Sequence, residues 1–179
     1  MNNCRLDAQG RDLNRWFQHE ELPFIQTLKQ RVAPYRFASA MMLHEDYDGQ
    51  GVYLYELEGT KPYWGESLLN AAGSFLPIDS RLRIEGRKAV AGLVRRKVEA
   101  RSFKGLGLPE AIYFHLNHAH RTFTTETPSE FALEQRVQAQ VAMIEQCIRK
   151  GLESGKNVGP AEECDSISSH HRQASSGSI

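Results

Sequence analysis

Tyr53 ends the tripeptide Gly51-Val52-Tyr53, and after nine intervening residues a second tyrosine opens Tyr63-Trp64-Gly65. Phenols on two neighbouring strands can share one side of a sheet, where a phenol can accept or relay the proton of an attacking water. Gly65 would then let a substrate backbone approach closely. Tyrosine is also an ordinary strand residue, so two packing side chains in a hairpin explain the same pattern. A second group with chemical potential is His115, His118 and His120 in "HLNHAH". On a strand His118 and His120 project to one side and His115 to the other. Such a pair can chelate a transition metal if further ligands join it, and Glu126 is the nearby carboxylate. No phosphate-binding P-loop, no GxGxxG and no GxSxG is present.

Charge is unevenly spread although the formal net charge is +0. Arg81, Arg83, Arg87, Lys88, Arg95, Arg96, Lys97, Arg101 and Lys104 crowd residues 81–104 against Glu85 and Glu99. Glu45, Asp46, Asp48, Glu56, Glu58 and Glu66 oppose Lys61 in residues 40–66. Only the local field matters at contact range, so the basic segment can attract phosphates. A solvated helix face is the plainer alternative.

The elements that would position these residues follow from periodicity. Leu13, Trp16, Phe17, Leu22, Ile25, Leu28 and Val32 recur at mostly helical spacing, with Pro23 starting a second helix and Pro34 ending it. "YRFASAMML" fits a strand or a loop, and "HEDYDGQG" has the composition of a turn. Alternation predicts a strand from Gly51, "EGTKP" a turn and "YWGES" the return strand. Asp79 or Ser80 suits the cap of a basic helix with an apolar stripe at Val90, Leu93, Val94 and Val98, and "AIYFHLNHAH" reads as a strand. The clearest helix follows Pro128 and Ser129: Leu133, Val137, Val141, Ile144, Ile148 and Leu152 mark its expected buried stripe, with Cys147 as core. The fold class expected is α/β, a small, largely antiparallel three-stranded sheet flanked by helices. Its divisions are an N-terminal helical extension over 1–40, the α/β domain over 41–155, and a disordered tail over 156–179.

Cys4, Cys147 and Cys164 form no CxxC pair, which argues against a zinc ribbon or a disulfide framework and for a reducing compartment. The polar start "MNNCRLDAQGRDLNRWF" is no signal peptide, and no apolar run spans a bilayer. A cytoplasmic or nucleoid-associated protein without membrane contact is expected.

The paired half-motifs resemble the GIY-YIG nuclease family, over roughly residues 50–145. The resemblance implies a metal-dependent endonuclease hydrolysing DNA phosphodiester bonds in restriction, repair or mobile-element cleavage. It implies that Tyr53 positions or deprotonates water, with Tyr63 in support, and that an arginine on the following basic element clamps the phosphate. Arg83 or Arg87 would fill that role, with Arg81 next, although the first arginine after Gly65 stands sixteen residues on, farther than the family usually places it. Glu134 would hold Mg²⁺ or Mn²⁺, with Glu130 in reserve. DNA would lie against Gly65, Arg81, Lys88, Arg95, Arg96, Lys97, Arg101 and His118, and the N-terminal helices could support a homodimer. Two other classes remain beside it: a non-catalytic nucleic-acid-binding or regulatory protein using residues 81–104, and a histidine-based metal protein.

Overall fold

Thr122–Pro128 forms the strand around which the rest is organised. In a computed structural model, residues 7–15, 17, 22–98 and 108–156 are described. Their elements run α1 (Pro23–Val32), β1 (Ala40–Asp46), β2 (Tyr53–Leu57), α2 (Gly65–Ala72), β3 (Arg83–Ile84), β4 (Arg87–Lys88), β5 (Leu93–Arg96), α3 (Glu110–Asn117), β6 (Thr122–Pro128) and α4 (Leu133–Lys156). The main sheet has four strands in the order β1-β6-β2-β5, and β3 with β4 makes a separate hairpin. β1 is parallel to β6, β6 antiparallel to β2, and β2 parallel to β5. The α/β class therefore holds, but the expected three-stranded, largely antiparallel sheet is replaced by a mixed four-stranded one.

Register assigns the side chains to faces, because successive residues of a strand point to opposite sides. Leu43 pairs with Thr125 and Leu54 with Thr125 and Leu93, which places Leu54, Leu93 and the neighbouring Phe123 on one face. There they join Trp64, Leu68 and Leu69 of the α2 region and Ala139, Met143 and Cys147 of α4 in the main core. On the opposite face His44, Glu126 and Tyr53 lie in one row, with Tyr55, Leu57, Val94 and Arg96 close by. The β3–β4 hairpin covers part of this face by packing Ile84 and Ala89 on Tyr53 and Val94, and α3 covers another part through Ile112 against Leu57. α1 sits behind α3, where Ile25 and Phe17 meet Tyr113 and Phe114.

Several expectations are corrected. Residues 83–96 form a hairpin and a strand instead of a basic helix, since Gly86 and Gly92 at φ of 75° and 72° and Ala91 at 48° turn the chain back. "YWGES" opens helix α2 instead of a return strand. The cause is Glu56, whose carboxylate accepts the backbone N–H groups of Trp64 and Gly65 at 2.7 and 3.1 Å and so anchors a helix N-terminus there. "AIYFHLN" is α3, and the third strand expected there comes one segment later as β6. "HED" belongs to β1, and the turn begins only at Tyr47. Of the helical reading over residues 11–32, the described residues form α1, and residues 16 and 18–21 lie outside the described residues.

The long helix is present, yet it presents a different side to the sheet. Ala139, Met143 and Cys147 are buried, whereas Leu133, Val137, Val141, Ile148 and Leu152 are 44–64% exposed. Polar anchors help set this rotation: Gln140 accepts from Thr125 Oγ1 at 2.6 Å and donates to the His44 carbonyl, and Gln146 donates to Ser67 Oγ. A hydropathy stripe does not register such bonds. Cys147 is core, as expected. The region read as a tail lies outside the described residues from 157 onward, as does Arg101. Among the described residues no helix is long and apolar enough to cross a membrane.

Candidate active site

β6 carries a glutamate where a buried position would ordinarily take an apolar residue. Glu126 is bonded into the sheet between β1 and β2, is 9% exposed, and sits among Thr125, Thr127 and Phe123, all buried. A carboxylate in such a place costs free energy unless it is compensated or used. His44, its register partner on β1, puts Nδ1 at 3.5 Å from Glu126 Oε1. Burial pushes the Glu126 carboxyl up from its usual range, His44 draws it down, and the charges of Asp46 and Glu85 push it up again. Glu110, at the start of α3, is likewise raised by burial and lowered by His44. Proton affinity is thus concentrated around the His44–Glu126 pair.

A cavity of about 270 Å³ opens over this pair, walled by Tyr55, Leu57 and Thr124 of the sheet, Pro109, Ala111 and Ile112 of α3, Glu85, Arg87 and Arg96, and Asn14 and Arg15. A larger, open cavity of about 780 Å³ lies alongside, bounded by Asp12, Asp46, Tyr47 and Arg136 among others. Asn14 and His44 line both. The segment carrying Asn14 is fixed in place because the Glu110 backbone N–H donates to Asn14 Oδ1 at 2.9 Å and to its carbonyl at 3.1 Å.

The tyrosines do not act as one pair. Tyr53 is buried, its hydroxyl donates to Asp46 Oδ2 at 2.9 Å, and burial, then the Glu126 charge, then that bond raise its proton affinity far above the ordinary phenol range. A phenol so held is a poor base. Tyr55 behaves similarly, donating to Glu85 Oε2 at 2.7 Å. Tyr63 precedes α2, stacked under Arg95 with the guanidinium carbon 4.8 Å from its ring centre, and Arg95 bonds Glu56 on the sheet's other face. Glu134 is exposed at the start of α4, accepts from Gln138 at 3.0 Å, and belongs to the helix that packs on the face opposite Tyr53. Tyr53, Tyr63 and Glu134 are therefore not brought around one phosphate.

The other expected residues are also dispersed. Arg81 is held by Asp79, with its Nη2 at 2.6 Å from Oδ2. Arg83 donates to the Gly86 carbonyl within the hairpin, and Lys88 and Lys97 are exposed. Arg95 and Arg96 point to opposite faces of the sheet by strand alternation, so the cations share no helix face. Gly65 is closely packed: a Cβ there would lie 2.6 Å from Leu93 Cδ1 and 2.9 Å from Glu56 Oε2, so these side-chain ends would have to shift. His118 is buried at the end of α3, with Nδ1 at 3.1 Å from the Tyr35 carbonyl and Nε2 at 3.2 Å from the Tyr113 hydroxyl, a structural arrangement. Only Arg87 and Arg96 among these expected residues line the cavity above Glu126.

Sequence reasoning passed over His44, Asn14 and Arg15 as site residues, and named Glu126 only as the carboxylate near the histidines of "HLNHAH". The available signal was "TFTTETP", a strand of β-branched and apolar residues with one carboxylate inside it.

The fold has solved relatives in shape. Three crystal structures, each described as a "putative metallopeptidase", superpose on about four-fifths of the chain. The one from Shewanella denitrificans OS217 matches with a TM-score of 0.66 at 20% identity, covering 81% of this chain and 54% of that one. The one from Shewanella baltica OS155 gives 0.65 at 19%, covering 81% and 56%. The one from Shewanella amazonensis SB2B gives 0.58 at 18%, covering 80% and 47%. The chain thus spans about half the length of the structures it matches. No family model matches, and no curated protein matches. These findings overturn the resemblance to GIY-YIG nucleases and, with it, the DNA endonuclease reading. The physical reason is local: the second half-motif begins a helix, so the hairpin that defined the resemblance does not form.

Among the described residues no group of three His, Cys, Asp or Glu side chains converges to hold an ion. His44 and Glu126 lie together, but stable protein sites for divalent transition metals use three or four ligands. The described residues therefore do not fit a complete metal centre, at Glu134 or at His115, His118 and His120.

Proposed function

We propose that this chain contributes the carboxylate side of a peptidase-like hydrolytic site, acting on amide bonds in the cavity over β6. The observation that carries this reading is Glu126: a buried carboxylate of raised proton affinity on an inner strand, beside His44, at the wall of a cavity able to take a small ligand. The description of the three structural neighbours as metallopeptidases supports the class of reaction.

Glu126 in its ionised form takes a proton from water as the water oxygen bonds to the amide carbon. The same carboxyl then returns that proton to the departing nitrogen as the carbon–nitrogen bond breaks, leaving a carboxylic acid and an amine. A proton affinity above that of an exposed glutamate suits both halves of this exchange, because the group is neither too weak a base nor too weak an acid. His44 orients the carboxylate and lowers the cost of its charge. A divalent ion such as zinc would supply a Lewis acid, and its ligands would have to include groups other than those the described residues bring together.

The test is hydrolysis of a panel of N-acyl amino acids and short peptides by the purified chain, with Zn²⁺, Mn²⁺ or Co²⁺ added and with chelator. Release of amine that falls at least about a hundredfold in Glu126→Gln with the fold retained is expected. Absence of turnover on the whole panel in every metal, or activity indifferent to Glu126→Gln, overturns the reading.

A further inference from the structure

Three guanidinium groups border one small cavity. Arg15, Arg87 and Arg96 all line the space of about 270 Å³ over Glu126. Arg96 emerges from β5 on the same face as Tyr55 and Leu57, as its pairing with Leu57 requires. It is half-buried; burial first, then the charges of Arg87 and Arg15, disfavour its charged form, while Tyr55 and Glu85 favour it. Arg15 also has Asp12 at 3.5 Å, and Glu85 takes the Tyr55 hydroxyl. Among the described residues Arg15, Arg87 and Arg96 share this lining with the carboxylates of Glu85 and Glu126. A carboxylate that enters beside these guanidinium groups can gain charge-assisted, two-point hydrogen bonds from them.

The remaining wall says what kind of anion fits. Leu57, Ile112 and Ala111 line the same space, so a short aliphatic stem can pack there while its charged end reaches the arginines. Inorganic anions have no stem to bury. Glu126 lies within the same lining, so a bond presented to it is joined to that stem by only a few atoms.

We propose that Arg87 and Arg96 form a specificity site for a substrate carboxylate on a short aliphatic stem, as in an aspartate or glutamate residue beside the bond to be cut. This rests on the hydrolytic reading for the phrase "bond to be cut", and on the cavity alone for the binding. Arg87 and Arg96 select the substrate and do not take part in the proton exchange at Glu126.

The experiment separates the two readings. Binding of glutarate and of its neutral counterpart glutaramide to the whole chain is measured by calorimetry, in Arg87→Gln, Arg96→Gln and Lys88→Gln proteins as well as the parent. Arg87 is exposed on the hairpin, so its replacement keeps the test alive if Arg96→Gln does not fold. Lys88 lies on the same hairpin outside the cavity lining and controls for loss of one positive charge. Glutarate is expected to bind at least about tenfold more tightly than glutaramide, with that margin lost in both arginine variants and kept in Lys88→Gln. In parallel, N-acetylglutamate and N-acetylglutamine are offered as substrates. Selective glutarate binding without turnover of any amide upholds this site and sinks the hydrolytic reading. Turnover with equal kcat/KM for the two substrates does the reverse. Equal binding of glutarate and glutaramide, or a margin unmoved by either arginine change, overturns the proposal.

Discussion

Met143→Ala and Val141→Ala, two residues apart on α4, are expected to have very different consequences. Met143 is fully buried in the main core, among Phe123, Trp64 and Leu68. Its truncation removes three heavy atoms beyond Cβ, about 2.4 kcal/mol of transfer free energy at about 0.8 kcal/mol for each methylene-sized group. The cavity left behind adds to this, for a total of about 3–4 kcal/mol. Val141 is 44% exposed. Truncating it removes two half-solvated methyls, about 0.8 kcal/mol, and the better helix propensity of alanine returns about 0.5 kcal/mol, so the net change is within about 0.5 kcal/mol. A difference of about 3 kcal/mol moves Tm by about 6–12 °C in a chain of this size. Urea titration followed by circular dichroism, with a thermal melt alongside, measures both. If Val141→Ala costs as much as Met143→Ala, α4 is turned with its Leu133–Leu152 stripe inward and the core described above is misassigned.

Further outcomes follow from the polar contacts. Because the folded-state pKa of Glu126 is raised, the native chain holds that proton more tightly than the unfolded one. Its contribution is thus fully present below about pH 4.3 and is lost as pH rises through the folded value. The stability of Glu126→Gln relative to the parent should therefore improve from pH 4 to pH 8, and an opposite slope in paired urea titrations would show the carboxylate to be stabilised as an ion. Tyr53→Phe should cost about 1.5–3 kcal/mol through the lost bond to Asp46 while leaving hydrolysis within a few-fold. Loss of turnover with normal stability would instead make Tyr53 the base. Glu56→Ala should cost about 3 kcal/mol or more by urea titration, since it strands the Trp64 and Gly65 N–H groups and Arg95 in one step. A cost below 1 kcal/mol would mean that α2 is not anchored there.

Local chemistry in the sequence was enough to announce β2, the long helix α4 and the buried state of Cys147. Alternation from Val52 to Leu57 and the four-residue steps of α4 are properties of consecutive residues, and they survive folding. The apolar stripe of α4 was equally legible and was assigned to the wrong side. What turns that helix is a set of contacts with residues far away in the chain, Thr125, Ser67 and the His44 carbonyl, none of which has a local signature. The same holds at Trp64-Gly65, where Glu56 on the preceding strand converts an expected strand into a helix start. In the basic segment, residues at positive φ turned a helical composition into a hairpin.

The candidate site shows the division most plainly. Sequence alone determined that cations would concentrate after residue 80 and that tyrosines would alternate along β2, while the strand that carries Glu126 was expected one segment earlier, at "AIYFHLNHAH". Only the tertiary structure decided which of these meet. β6 inserts between β1 and β2, so His44 becomes the register partner of Glu126, 82 positions away in the chain. Arg96 is turned toward that pair and Arg95 away from it by the alternation of a single strand. Proximity across a sheet is set by strand order and register, and neither is written in the spacing of residues along one segment.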